Sequence, residues 1–341
     1  MMEQRALGPF QVGAIGLGCM NLSHAYGRPP TPQEGARVLL RALELGVTHF
    51  DTAALYGFGA NETLVGEVLA PYRDRITLAS KCGMQGVAGA DGVKRRVIDG
   101  RPATIRQTCE DALRRLRTDV IDLYYLHRWD RSVPIEDSVG ALADLVKQGK
   151  IRAVGLSEVS AATLRRAHTV HPIAAVQSEY SLWTRHPELG VLDACRETGA
   201  ALVAFSPLGR GFLAGAIKDA AAAEALPQGD LRRAMPRFLG ADLQANLAWL
   251  PAYAALAGEA GCTPAQLGLA WLLHKAPHIV PIPGTTRVDH LDENLGALDV
   301  KLNASLVERL EALVNERTVS GPRYAPSTQA EIDTETYPSG F

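Results

Sequence analysis

HFDTAALYG, residues 49–57, places an aspartate and a tyrosine where a strand leaving an apolar core needs only a turn. The residues leading into it, VTHF, are β-branched and aromatic and read as the end of a strand. Asp51 and Tyr56 then follow, and Gly57 makes the turn without help from either. A strand that ends on functional groups is the rule elsewhere in this chain too. AIGLG (14–18), THFD (48–51), ITLASK (76–81) and VIDLYYLH (120–127) read as strands, as do IRAVGLS (151–157), AAVQSEY (174–180), ALVAFSP (201–207) and HIVPIPG (278–284). Several are apolar on both faces, the pattern of a parallel sheet covered by helices.

The segments between the strands carry helix start signals. TPQEGARVLLRALELG offers Thr31 as N-cap, Pro32 at the first helical position and Glu34 to close a capping box, and Thr263, Pro264 and Gln266 repeat the device. PIEDSVGALADLVKQGK spaces Ile135, Val139, Leu142 and Val146 along one helical face and stops at Gly149. Eight strands alternating with helices predict an α/β fold, a (β/α)8 TIM barrel spanning residues 1–341 as one domain. A doubly wound sheet fits the alternation as well, and the lack of a domain break favours the barrel. Residues 4–13 contain a Gly-Pro turn and are expected to form a hairpin plugging the lower end of the barrel. The connection after strand seven, about 208–241, is long, Gly- and Ala-rich and basic, and so is expected to be functional. The polar tail, 318–341, stands outside the alternation.

Composition removes several classes of function. The chain has 341 residues, 47% of them hydrophobic and 21% charged, with a formal net charge of −2, so nothing asks for nucleic acid or an anionic membrane. Cysteines at 19, 82, 109, 195 and 262 form no CxxC pair, which argues against a disulfide framework and a zinc site and for a reducing compartment. No apolar run approaches the ~18 residues of a membrane span, and the N-terminal residues lack a signal-peptide pattern. A cytoplasmic enzyme without a metal is expected.

Because barrel loops converge at the C-terminal ends of the strands, polar residues there share one mouth. Strand two ends in Asp51 with Tyr56 in its loop, strand three in Lys81, strand four in His127 and strand five in Ser157. Strand six carries Gln177, strand seven ends in Phe205-Ser206, and strand eight runs into GTTR, 284–287. Singly, each has a plainer explanation: a loop aromatic, a solvated charge, a turn cap, a core histidine. Their joint placement does not. A tyrosine is a poor acid at neutral pH, a nearby ammonium stabilises its phenolate, and a half-buried lysine needs a counter-charge. Asp51 is placed to hold Lys81, Lys81 to tune Tyr56, and His127 to aim a carbonyl, which makes a proton donor for a developing alkoxide. GAIGLG (13–18) has the reverse of the GxGxxG spacing and is no Rossmann fingerprint. IPGTTRVDHLDEN (282–294) brings a glycine, two hydroxyls and Arg287 to a helix start, a setting for a phosphate.

FDTAxxYG (50–57), Lys81, YYLH (124–127), GLSE (155–158), QSEYS (177–181), AFSPLGRGFLAG (204–215) and PIPGTTR (281–287) fall in order over nearly the whole chain. The chain thereby resembles the aldo-keto reductases, and the branch similar to bacterial and fungal pyridoxal reductases. The resemblance implies NADPH-dependent reduction of a small aldehyde or ketone to an alcohol, NADPH ahead of NADH, by a monomer. It makes Tyr56 the general acid, with Asp51 and Lys81 lowering its pKa and Asp51 also near the cofactor. Ser157 and Gln177 are implied at the nicotinamide carboxamide and Phe205 beneath the ring. Ser206, Leu208, Gly209 and Gly211 would wrap the pyrophosphate, with Lys218 clamped over it. Gly284, Thr285, Arg287, His290 and Asn294 would take the adenosine end, Arg287 on the 2′-phosphate. Glu158 stands where an Asn is usual, and Thr286 where a Lys or Arg is usual. Tyr26 and Trp129 are expected as substrate-pocket walls. The tail often covers the mouth in this family, which suggests Tyr324 or Tyr337 as further contacts, although its composition fits a disordered surface segment equally. Two other functions share the motifs: a regulatory subunit that senses the dinucleotide, and a Schiff-base aldolase using Lys81.

Overall fold

The computed structural model describes residues 2–89 and 91–337. The chain opens with an antiparallel hairpin, β1 (Gln4–Leu7) and β2 (Phe10–Gly13), at the position expected for the plug. Eight parallel strands follow: β3 (Leu17–Gly18), β4 (His49–Asp51), β5 (Thr77–Cys82), β8 (Ile121–Leu126), β9 (Ile151–Ser157), β10 (Ile173–Glu179), β11 (Ala201–Phe205) and β12 (Ile279–Pro281). A second hairpin, β6 (Met84–Ala88) with β7 (Lys94–Ile98), is inserted directly after β5. Hydrogen bonds from Gly16 N to Pro281 O (3.0 Å) and Gly18 N to Pro283 O (3.3 Å) join the first barrel strand to the last. The fold is a (β/α)8 barrel, and every expected barrel strand is present.

Two layers of apolar side chains explain the architecture. Odd-numbered residues of β5 and β8–β11, among them Ala79, Leu123, Tyr125, Ala153, Ala175, Ala201 and Val203, fill the barrel interior with Leu7 and Val12 of the hairpin. Even-numbered neighbours such as Leu78, Tyr124, Leu126, Val154, Leu156, Val176 and Leu202 pack outward. They meet the helices α1 (Pro32–Glu44), α2 (Ala60–Leu69), α3 (Pro102–Leu116), α4 (Ile135–Lys147), α5 (Ala161–Val170) and α6 (Val191–Thr198). This period of two decides which side chains reach the mouth. Both capping boxes form, at Thr31/Glu34 of α1 and at Thr263/Gln266 of the later helix Pro264–Lys275.

The hairpin closes the bottom through close packing and one buried charge. A Cβ on Gly8, whose φ is +57°, would come within 2.4 Å of Ala174 Cβ, so only glycine lets the turn seat against β10. The Arg5 guanidinium, 5% exposed, donates to the carbonyls of Leu273, Ala276 and Ile279 at 2.7–2.9 Å. Leu273 lies in the last turn of Pro264–Lys275, where carbonyls have no helical partner and attract a cation. At the other end, residues 319–335 cross the strand tips. Asp333 N donates to Glu158 O (2.9 Å), and Glu335 accepts from Ala161 N (2.7 Å) at the start of α5. Among the described residues no helix is long and apolar enough to cross a membrane.

Candidate active site

The inward register of the strands leads directly to the site. Asp51 continues the inward set of β4, Lys81 that of β5, Ser157 that of β9, Gln177 that of β10 and Phe205 that of β11, while His127 extends the inward set of β8 by one step. After β4 the chain turns through a short 3-10 segment, Tyr56–Gly59, with positive φ at Gly57, Phe58 and Gly59, before α2 begins. Gly59 (φ +99°) lies so near Arg115 that a Cβ would meet its side chain at 2.9 Å. This tight path folds Tyr56 back beneath the mouth, 8% exposed.

Lys81, with no solvent exposure, uses each of its three hydrogens: Asp51 Oδ1 at 2.5 Å, Thr52 O at 2.8 Å and Tyr56 Oη at 3.3 Å. Burial works against its charge, but Asp51 and the phenol outweigh burial, so its pKa lies above the ordinary lysine value. A protonated ammonium held on three acceptors has no lone pair to attack a carbonyl, which counts against the Schiff-base alternative. The other oxygen of Asp51 accepts from Gln177 Nε2 at 2.8 Å, so a chain of contacts runs from Gln177 through Asp51 and Lys81 to Tyr56.

The electrostatics of Tyr56 differ from the sequence expectation. Burial pushes its phenol up, Lys81 pulls it down, and the direct influence of Asp51 is upward, leaving the pKa above the ordinary value. The service of Asp51 is therefore indirect: it keeps Lys81 charged and in place. His127 meets Tyr56 edge-on, with ring centroids 5.8 Å apart, and its Nδ1 is buried without a partner among the described residues. Burial, then the neighbouring Arg128 and Lys81, hold its pKa well below the histidine range, so the ring is neutral near pH 7 and one ring nitrogen carries a proton to donate. His24, from the loop after β3, stacks over Tyr56 at 6.3 Å and 20°. No sequence signal points to it, since a lone loop histidine has no diagnostic spacing.

The remaining expected residues surround this group. Ser157 Oγ accepts from Arg128 Nη1 at 3.2 Å. The half-buried Phe205 ring lies 6.0 Å from the Arg210 guanidinium. Ser206, Gly209, Arg210 and Gly211 all have positive φ, which winds the loop tightly across the mouth, with Leu208 half-buried among them and Lys218 exposed farther on. Thr285 and Asn294 are buried (6% and 4% exposed), and Thr285 Oγ1 accepts from Arg287 N at 3.1 Å. Arg287 is exposed and pairs with Asp289 at 2.5 Å, and His290 and Gly284 are exposed beside it. A cavity of about 390 Å³ lies between this strand-eight loop and the loop after β3, lined by Asn21, His24, Tyr26, Arg28, Thr286 and Arg287. Inward amide and hydroxyl groups, an aromatic ring at the mouth and basic residues beside this cavity fit a dinucleotide. Tyr26 lies beneath Arg232 at 5.2 Å and bridges to Asp230, tying the loop after β3 to the loop after β11. Trp129 instead donates to Val133 O and packs against Arg131 and Arg166 of α5, facing the helices rather than Tyr56. Tyr337 packs against His186 at 5.1 Å.

One constellation was missed in the sequence. Glu158, in a positive-φ conformation (+54°), pairs with Arg323 of the tail at 2.8 Å. Glu179 accepts from Arg210 (2.9 Å), Thr184 (3.0 Å) and Tyr324 (3.1 Å). Burial opposes the charge of Glu179, but Arg210, Arg323 and Arg237 prevail and hold its carboxyl well below the usual carboxylate range. The Glu in GLSE thus anchors the tail, and Tyr324 belongs to this buried network.

Residues 14–315 match the family model described as the aldo/keto reductase family. A curated soybean (Glycine max) protein, "Probable aldo-keto reductase 1", is 44% identical over 316 residues, covering 92% of this chain and 89% of that protein. Among solved structures, a glycerol dehydrogenase from Gluconobacter oxydans aligns with TM-score 0.84 at 28% identity, covering 95% of this chain and 98% of that one. An aldo-keto reductase from Bacillus halodurans in its holo form aligns with TM-score 0.74 at 26% identity, covering 92% and 97%. With a matching barrel, a family model over most of the chain and relatives at this level, the chain belongs to the aldo/keto reductase family, oxidoreductases that act on carbonyl groups with a nicotinamide cofactor.

Proposed function

We propose that this chain is an NADPH-dependent carbonyl reductase that turns an aldehyde or ketone into an alcohol, with Tyr56 as proton donor. The observation that carries the reading is the position of Lys81 Nζ, 2.5 Å from Asp51 and 3.3 Å from the Tyr56 hydroxyl. NADPH, when bound, supplies the hydride that adds to the carbonyl carbon. His127, neutral and edge-on to Tyr56, donates a hydrogen bond that aims the carbonyl oxygen. Tyr56 passes its proton to that oxygen, so carbon gains the hydride and oxygen the proton. Lys81 stabilises the phenolate left behind, and it is worth most here because water is excluded. Asp51 keeps Lys81 charged, and Gln177 fixes the second oxygen of Asp51.

Ser157 and Gln177 are assigned to the carboxamide, Phe205 to the ring face, and Ser206, Leu208, Gly209, Gly211 and Lys218 to the pyrophosphate. Gly284, Thr285, Arg287, His290 and Asn294 are assigned to the adenosine end. The preference for NADPH rests on Arg287 and His290, moderated by Asp289. Tyr26 is the assigned pocket wall with support from its place across the mouth. The test is dinucleotide oxidation against a panel of aldehydes and ketones, with NADPH and NADH run separately. Oxidation driven by a carbonyl is expected, faster with NADPH at limiting cofactor. No oxidation with any carbonyl and either dinucleotide would sink the reading, and a preference for NADH would sink the cofactor assignment.

A further inference from the structure

The buried and half-buried arginines of this chain are almost all neutralised locally. Arg73 pairs with Asp122, Arg115 with Glu62, Arg210 with Glu179, Arg232 with Asp230 and Arg323 with Glu158, each at 2.6–2.9 Å. Arg128 does not follow this pattern. It follows His127 in sequence and is half-buried, and among the described residues no carboxylate lies within 4.0 Å of it. One nitrogen, Nη1, donates to His127 O at 2.6 Å and to Ser157 Oγ at 3.2 Å. Ser157 belongs to the inward set of β9, so this tether draws the guanidinium over the mouth, between the tips of β8 and β9. Its Nε and Nη2 have no partner among the described residues, although a guanidinium carries five N–H donors in a planar fork. The acids that could have neutralised it are engaged elsewhere: Glu331 by Arg96, Asp333 by Arg131 and Glu158 by Arg323.

We infer that Arg128 determines specificity by receiving an anionic group, carboxylate or phosphate, carried one or two carbons from the carbonyl being reduced. The inference rests on the reductase reading, because it takes the carbonyl to be held at His127 and Tyr56. A guanidinium one residue from the carbonyl-orienting imidazole, with the three N–H donors of Nε and Nη2 unspent, matches the planar oxygens of such a group. The surrounding field agrees. Burial raises the Tyr56 phenol, and Lys81 and Arg128 both pull it down, so Arg128 acts on the proton donor through space. Arg96 and Arg128 likewise add to burial in depressing His127. An anion bound there would offset part of that positive field.

The test uses matched substrates: 2-carboxybenzaldehyde against benzaldehyde, and dihydroxyacetone phosphate against dihydroxyacetone, with NADPH saturating. The readout is the ratio of kcat/KM within each pair, so a general loss of activity cancels. Wild type is expected to favour the anionic member of at least one pair by about tenfold or more, the worth of one charge-assisted contact. Arg128→Met should bring that ratio near unity, and Arg128→Lys should keep part of it. The pair that shows the ratio separates a carboxylate from a phosphate. Equal use of both members by wild type, or a ratio that survives in Arg128→Met, overturns the inference while leaving the reductase reading intact. If no member of either pair is reduced while other carbonyls of the panel are, the inference fails and the reductase reading stands; if no carbonyl is reduced with either dinucleotide, both fall together. If Arg128→Met weakens NADPH binding tenfold and lowers both members equally, Arg128 belongs to the cofactor and the inference fails.

Discussion

Asp51 acts on Tyr56 through Lys81, and that indirect route separates two kinds of substitution. Gln177→Leu removes the donor to Asp51 Oδ2 and the expected carboxamide contact together. It should cost about ten- to a hundredfold in kcat/KM, as loss of a hydrogen bond to a charged group does, and stopped-flow cofactor titration divides that loss between binding and chemistry. At the proposed adenosine end, Arg287 and Asp289 are exposed partners, so a 2′-phosphate bound there would compete with a neighbouring carboxylate. Asp289→Asn should therefore raise the NADPH-to-NADH preference about two- to fivefold, the scale of an exposed ion pair, read from the ratio of the two KM values. An unchanged ratio would remove Arg287 from the 2′-phosphate. The juxtaposition of Asp51, Lys81, His127 and Tyr56 could be read from the sequence because the first three fall at or one step past strand ends of known register and Tyr56 follows in the loop after β4. His24 and Arg128 could not, since neither has a spacing that distinguishes it from an ordinary loop residue.

Burial explains which elements could be read in advance. The barrel strands bury both faces, so they appear as unbroken apolar runs. The β6–β7 hairpin has no such face: β7 reads KRRVI, exposed over nearly its whole length, and the ribbon escaped notice. The tail presents the opposite problem, because its anchors are buried but polar. Glu158 and Arg323 are 165 residues apart, beyond any periodicity argument, and only the fold joins them. Glu179→Gln would leave Arg210 and Arg323 short of a buried counter-charge and should cost about 3–5 kcal/mol in urea unfolding at pH 7. The pH dependence has a definite sign. A carboxyl with a folded pKa below its unfolded value stabilises the fold above that unfolded value, here 4.5, and loses the contribution as pH falls. Depressed His127 adds the same trend below its ordinary value of 6.5, because the unfolded chain binds the proton more readily. Melting temperature should therefore drop as pH falls, first below 6.5 through His127 and then below 4.5 through Glu179, and in that lower range by less in Glu179→Gln than in wild type. Parallel slopes in the two proteins would show that Glu179 is not the titrating group.

At the scale of the molecule, stability and chemistry occupy opposite ends of the barrel. The hairpin and Arg5 close the bottom, and the strand tips, tail and long loop build the top. Arg5→Ala leaves one buried and two partly buried carbonyls without their donor and should lower unfolding free energy by about 2–4 kcal/mol, with KM for carbonyl and cofactor unchanged below the transition. A shifted KM would mean that the two ends communicate. This division was legible because seven of eight strand ends delivering polar groups to one face is a barrel signature that no single motif provides. What the sequence could not show was how the top is locked, since a buried ion network depends on distances between segments remote along the chain. The claim at the centre is that Tyr56 supplies the proton, and single-turnover NADPH oxidation by wild type and Tyr56→Phe, each saturated with cofactor and carbonyl, tests it most directly. A fall of about a hundredfold or more in Tyr56→Phe, with NADPH affinity within threefold of wild type, is the expected result. Turnover within threefold of wild type in Tyr56→Phe would contradict it and move the proton donor to another group, His127 first.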